Sequence, residues 1–158
     1  MRPIKLRLEA FGAYVKRVDL DFERELGEGN FFLIHGATGS GKTTLLDAIC
    51  FALYGEASGN DRSGRMMRSE YATPTQETYV EFTFALKDRT YCVRRNPEYE
   101  KQKMRGTGTT TIKSNAELYC DNKLLTTGAS KVTKAVEELI GFKCEQFRQV
   151  IVLPQGDF

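Results

Sequence analysis

Polar and apolar residues alternate from the start of the chain: Ile4, Leu6 and Leu8 take every second position between Lys5, Arg7 and Glu9. A period of two predicts an edge-facing strand over Ile4–Phe11. The pattern returns at Val18–Phe22, so the two segments are expected to form a hairpin. After the turn cluster Gly27–Asn30, Phe31 to His35 is continuously apolar up to its last residue, as in a strand buried on both faces. The period then changes. Thr43–Tyr54 reads as a helix with Leu45, Leu46, Ile49 and Leu53 on one face. Residues 55–77 are polar and without period. Tyr79–Leu86 and Thr90–Arg95 predict a second hairpin about Lys87-Asp88. Pro97–Thr111 is charged and rich in Gly and Thr, which predicts a loop. Thr111–Cys120 reads as one strand ending in the turn Asp121-Asn122-Lys123. Ser130 is placed to cap a helix running to Ile140, with Val132, Val136, Leu139 and Ile140 inward and Gly141 as its stop. Val150–Leu153 is a short apolar strand before Pro154-Gln155-Gly156. The expected fold class is α/β: a strand–loop–helix unit beside a mixed or antiparallel sheet.

Composition narrows the class. A chain of 158 residues with 41% hydrophobic and 28% charged residues has the make-up of one soluble globular domain. Its longest apolar runs are strand-sized, far from the roughly 20 residues that cross a bilayer. The N-terminus lacks the basic-then-apolar pattern of a secretory signal, which points to the cytoplasm. Cys50, Cys92, Cys120 and Cys144 lie far apart and His35 is the single histidine, so a Cys/His zinc site is not expected and the thiols are expected reduced and mostly buried. His35 itself reads as a packed residue. Net charge is +2, but Lys87–Lys113 holds eight basic residues against three acidic ones, leaving the rest of the chain net negative.

The chemistry is carried by residues 36–43, Gly-Ala-Thr-Gly-Ser-Gly-Lys-Thr, which match the phosphate-loop pattern G-x-x-x-x-G-K-[ST]. Gly36, Gly39 and Gly41 lack Cβ, so backbone N–H groups can turn inward around an anion. The helix that follows brings its positive N-terminal end to the same point. Together Gly36, Ala37, Thr38, Gly39, Ser40, Gly41, Lys42, Thr43 and Thr44 form the expected nucleoside-triphosphate-binding set. Lys42 would bridge the β- and γ-phosphates, the Thr43 hydroxyl would ligate Mg²⁺, and Thr44 would reach the α-phosphate. A second acidic position after an apolar strand, which such enzymes use to hold Mg²⁺, is not evident. Leu118-Tyr119-Cys120-Asp121 and Asp19-Leu20-Asp21 are poor matches, and the chain reads as half of an active site.

Phe11-Gly12-Ala13-Tyr14, the run from Gly36 to Ile49, and Ala52-Leu53-Tyr54-Gly55 together resemble the SbcC family. These are bacterial ATPase subunits of a double-strand-break nuclease, related to the structural-maintenance-of-chromosomes ATPases. Gln146–Gly156 resembles the Q-loop of the same family. The resemblance implies that residues 1–158 form the N-terminal lobe of an ABC-type ATPase head, with a coiled coil expected after 158. A C-terminal lobe of the same protein and a second copy of the head would complete the ATP site, so the lobe by itself would be inactive. Gln155 would touch Mg²⁺ and the attacking water, acting with Lys42 in catalysis. Met67-Arg68-Ser69 would approach the base. Partners implied are an SbcD-like nuclease and double-stranded DNA, with no membrane, in a cytoplasmic, nucleoid-associated setting. Arg94, Arg95, Lys101, Lys103 and Arg105 would meet DNA phosphates. Two other readings stay open on the residues. One is the lobe of another recombination ATPase of the same superfamily. The other is a self-contained P-loop kinase, in which Arg62, Arg65 and Arg68 would imitate a lid. A guanine-specific N-K-x-D motif is absent.

Overall fold

The computed structural model describes residues 1–26, 33–57, 67–103 and 107–150. Strand β1 (Arg2–Glu9) and strand β2 (Val18–Asp21) form the first hairpin, followed by a short helix α1 (Phe22–Leu26). Helix α2 (Lys42–Tyr54) follows the glycine loop. Strands β3 (Tyr79–Leu86) and β4 (Arg89–Asn96) form the second hairpin, with Lys87 in the left-handed region at its turn. Strands β5 (Tyr99–Gln102) and β6 (Thr109–Ile112) make a separate two-stranded ladder. Strands β7 (Asn115–Cys120) and β8 (Lys123–Thr127) precede helix α3 (Ala129–Ile140) and helix α4 (Cys144–Val150).

The main sheet has six strands in the order β2-β1-β3-β4-β7-β8, and every paired neighbour runs antiparallel. Register explains which face is buried. Leu6, Phe82, Val93 and Leu118 lie across from one another on successive strands, and all are buried. They meet α2, which packs on β3 and β4, and α3, which packs on β7 and β8. One residue along, Asp19, Arg7, Glu81, Arg94 and Glu117 form a row of alternating sign on the opposite face. Arg7 bonds Asp19 at 2.6 Å and Glu81 at 3.2 Å. Arg17 and Arg7 hold the Asp19 carboxyl down at about 2.

Several expectations change here. The two hairpins and the Gly141 stop are as read, but β1 is not an edge strand, since it pairs with β2 on one side and β3 on the other; Gly141 adopts φ 80° and donates to Glu137 O. The α2 face is wider than expected, because Asp47 through Tyr54 are all buried, wedged between the sheet, α3 and α4. Gly128, not Ser130, precedes α3, and of the expected inward residues Val132 and Val136 are fully buried while Leu139 and Ile140 only flank the core. The loop expected over 97–111 contains the β5–β6 ladder. The expected strand Thr111–Cys120 is broken at Lys113-Ser114, where Asn96 Nδ2 donates to Lys113 O and the ribbon parts from the main sheet. β8 pairs with β7 through a turn with Asp121 and Asn122 at φ 48° and 63°, the left-handed geometry of a tight hairpin. Of the expected strand Phe31–His35, residues 33–35 have no strand pairing, and Leu33 is 82% exposed. An apolar strand needs neighbours, and the six-stranded sheet already runs without it. His35 is exposed rather than packed. The turn cluster Gly27–Asn30, Phe31, Phe32, and Ile151–Leu153 of the last expected strand lie outside the described residues; Val150 ends α4. All four cysteines are free thiols; Cys50, Cys120 and Cys144 are buried, and burial pushes Cys50 and Cys144 up to about 12.

Candidate nucleotide-binding site

Residues 36–41 form a turn, exposed from Gly36 through Ser40, that leads directly into the first turn of α2. Ser40 N–H donates to Ala37 O at 3.1 Å, and Gly39 and Gly41 sit at φ 80° and 90°. Gly41 is the N-cap residue of α2, and no side chain caps that end of the helix. Its first N–H groups are therefore left for another acceptor. Lys42 Nζ donates to Gly36 O and Ala37 O, each at 2.8 Å, which holds the ammonium at the mouth of the loop. Thr43 is exposed, whereas Thr44 is buried beneath Gly12.

A second segment walls the loop. Phe11 N–H donates to Tyr14 O and Tyr14 N–H to Phe11 O, both at 2.9 Å, closing a tight turn between β1 and β2. Tyr14 OH lies 3.4 Å from Gly41 O, and burial raises its pKa. A Cβ on Gly41 would stand 2.9 Å from Tyr14 Cζ, and one on Gly12 would stand 2.6 Å from Thr44 Cγ2. Pattern reading missed this contact. Tyr14 and Gly41 are far apart in sequence, and the signal that could have found it is the Gly12-Ala13-Tyr14 turn itself.

The other expected site residues divide. Gln155, Arg105, Arg62 and Arg65 lie outside the described residues. Met67 is buried, and Arg68 is spent on Thr73 O, Gln76 O and Thr78 Oγ1 with its guanidinium over the Tyr99 ring. Arg94 lies 4.2 Å over the Tyr79 ring and 3.7 Å from Glu81. Lys101 lies 3.4 Å from Glu77, and Lys103 is exposed. Arg95 is a correction: it is 4% exposed, faces the core side of β4, and donates to Ala52 O at 2.9 Å, Leu53 O at 3.2 Å and Thr133 Oγ1 at 3.0 Å. A guanidinium committed in this way has no face to offer a DNA phosphate. The alternation of β4 carried the signal, since Arg95 shares its side with Tyr91 and Val93.

The glycine loop, the lysine at its mouth and the uncapped helix start define a phosphate-binding module. The AAA domain family matches residues 5–158, and the chain belongs to that family. Over its whole length it is 48% identical to the SbcC component of the SbcCD nuclease of Vibrio cholerae and 38% identical to those of Lactococcus lactis and Staphylococcus aureus, in each case covering 16% of the relative. The chain thus spans about 16% of the length of these curated relatives, at their N-terminal end. A solved SMC head domain from Thermotoga maritima is similar with a TM-score of 0.46 and 22% identity, over 85% of this chain and 42% of that one.

Proposed function

We propose that the chain is the ATP-binding N-terminal lobe of an SbcC-type DNA double-strand-break repair ATPase. The observation that carries this reading is the phosphate loop of residues 36–43, with Lys42 Nζ held at its mouth and α2 opening uncapped behind it. The resemblance over the full chain to proteins named for the SbcCD nuclease supports the choice among phosphate-loop proteins.

Backbone N–H groups of the loop and of the first turn of α2 would cradle the phosphates, and the helix dipole favours their negative charge. Lys42 would exchange its two carbonyl acceptors for β- and γ-phosphate oxygens, a charge-assisted and therefore stronger pairing. The exposed Thr43 hydroxyl is a hard oxygen donor suited to Mg²⁺, which takes few protein ligands and keeps water and phosphate for the rest. Mg²⁺ would neutralise charge developing on the transferred phosphoryl group. Gln155 is proposed to report on that site and to orient the attacking water.

Residues 1–158 are proposed to act with a C-terminal lobe and a second head, and to regulate an SbcD-like nuclease on double-stranded DNA in the cytoplasm. Among the described residues no helix is long and apolar enough to cross a membrane. Lys101 of β5 and Lys103 just after it, together with Arg105 and Arg94, are proposed as DNA contacts.

Lys42→Ala tests the nucleotide reading. Lys42 is the one cationic side chain among residues 36–44, so calorimetry of the variant should lose the Mg-ATP signal seen with the parent. Unchanged affinity in a folded variant would sink the assignment.

A further inference from the structure

Tyr14 has no part in the phosphate-loop pattern, yet its ring lies against that loop. Gly41 adopts φ 90°, a conformation that side chains rarely take, and a Cβ there would also be 2.9 Å from both Cζ and the hydroxyl of Tyr14. The ring therefore occupies the space that a side chain at 41 would fill. Glycine is the residue with the widest backbone freedom, and a phosphate nest needs that freedom removed before the ligand arrives. Thr44 is confined in the same way by Gly12, whose backbone approaches closer than any Cβ would permit.

The turn that carries Tyr14 is itself held on three sides. Ala10 N–H donates to Val15 O at 3.2 Å, and Gln76 Nε2 donates to the same carbonyl at 2.7 Å. Gly12 N–H donates to Met67 O and Ser69 N–H to Ala10 O, both at 2.8 Å. Phe11, fully buried, meets Phe51 of α2 with ring centroids 5.4 Å apart. The last contact ties the turn to the same helix whose first residues form the phosphate site. Turn and helix are thus packed on each other, with Gly41, where the loop enters the helix, against the Tyr14 ring.

Resting on the nucleotide reading above, we infer that Tyr14 is a positioning residue for the phosphate site: its ring fixes Gly41 and so presets the N–H groups that receive the phosphates. The ring acts through the loop and not through the base. That makes the effect independent of whether a base is present, and inorganic tripolyphosphate, which has none, is the diagnostic probe.

The experiment compares Mg-ATP and Mg-tripolyphosphate binding by calorimetry in the protein at its natural length, for the parent, Tyr14→Ala, Tyr14→Leu and Tyr14→Phe. Losing the alignment of one charge-assisted hydrogen bond weakens binding about tenfold. Tyr14→Ala should therefore weaken both ligands by about tenfold and to the same extent. Tyr14→Phe, which keeps the ring and loses only the long 3.4 Å hydroxyl contact, should stay near the parent. Tyr14→Leu keeps apolar bulk without the planar ring and decides the matter if the alanine variant unfolds; it should weaken both ligands alike. Loss of ATP affinity with tripolyphosphate untouched would overturn the inference in favour of a base contact. Parent-like binding of both ligands by the Ala and Leu variants would overturn it outright. A parent that binds neither ligand would instead bring down the nucleotide reading itself.

Discussion

Arg95 illustrates how one residue can be misjudged by its charge. It occupies the buried row of the sheet opposite Val80 and Ala116, where apolar side chains are the rule. Its guanidinium is satisfied there by the C-terminal end of α2, where the last carbonyls lack helical partners and carry the negative end of the dipole. Thr133 completes the junction by donating to Tyr54 O at 3.2 Å, and Gly55 leaves room for the guanidinium that a Cβ would meet at 2.9 Å. Burial lowers the Arg95 pKa to about 10, so the group stays charged at neutral pH. Arg95→Leu would strip the Ala52 and Leu53 carbonyls of their donor inside the core. The expected cost is about 3 kcal/mol, read as a lower urea midpoint, with the salt dependence of duplex binding unaltered. A variant with parental stability and a shallower salt slope would return Arg95 to the phosphate-contacting set.

At the scale of elements, the β5–β6 ribbon carries Lys101, paired with Glu77, and leads into the exposed Lys103 just after β5. It continues beyond the point where β4 and β7 part, and it is rooted by the buried Tyr99 under Arg68 and by Gln102 N–H donating to Pro74 O at 2.9 Å. The outer face of the main sheet differs, because its arginines alternate with carboxylates along each row and their charges are largely compensated within the sheet. Exposed ion pairs of this kind contribute little to stability individually but leave little net field. The triple replacement of Lys101, Lys103 and Arg105 by alanine should therefore weaken binding of labelled duplex DNA while Mg-ATP affinity is kept. Each lost phosphate contact should flatten the slope of log affinity against log salt by roughly 0.9. Superimposable titrations at several salt concentrations would make the ribbon a solvated surface with no role in DNA binding.

Across the whole molecule, the phosphate loop lies at one end of a helix buried in the core, and Leu33, a few residues before the loop, is 82% exposed. The proposed half-site predicts that purified residues 1–158 hydrolyse ATP negligibly, and that turnover appears on mixing with the C-terminal lobe proposed above. Steady phosphate release by the isolated chain, abolished by Lys42→Ala, would instead mean that the chain holds a complete site.

Much of what depends on neighbours along the chain was legible from the residues alone, although the Ser130 cap and the strand leading into the loop were not. Residues 36–44 are consecutive, so the phosphate loop could be read as a unit. Period-two alternation marked β1 and β2, the Lys87-Asp88 turn marked the β3–β4 hairpin, and Gly141 marked the end of α3, because each reflects local backbone chemistry. The remainder was settled by packing. The β5–β6 ladder has no alternation to betray it, and it forms because β4 and β7 deliver Tyr99 and Ile112 opposite each other. The burial of α2 on nearly every side follows from having a sheet and two helices against it, which no helical period encodes. Arg95 could turn inward only where a helix end waited to accept its hydrogen bonds. Tyr14 could reach Gly41 only once Phe11 had joined the turn to α2. In each case the deciding contact joins residues far apart in sequence, and its energy depends on a geometry that exists only after the chain has folded.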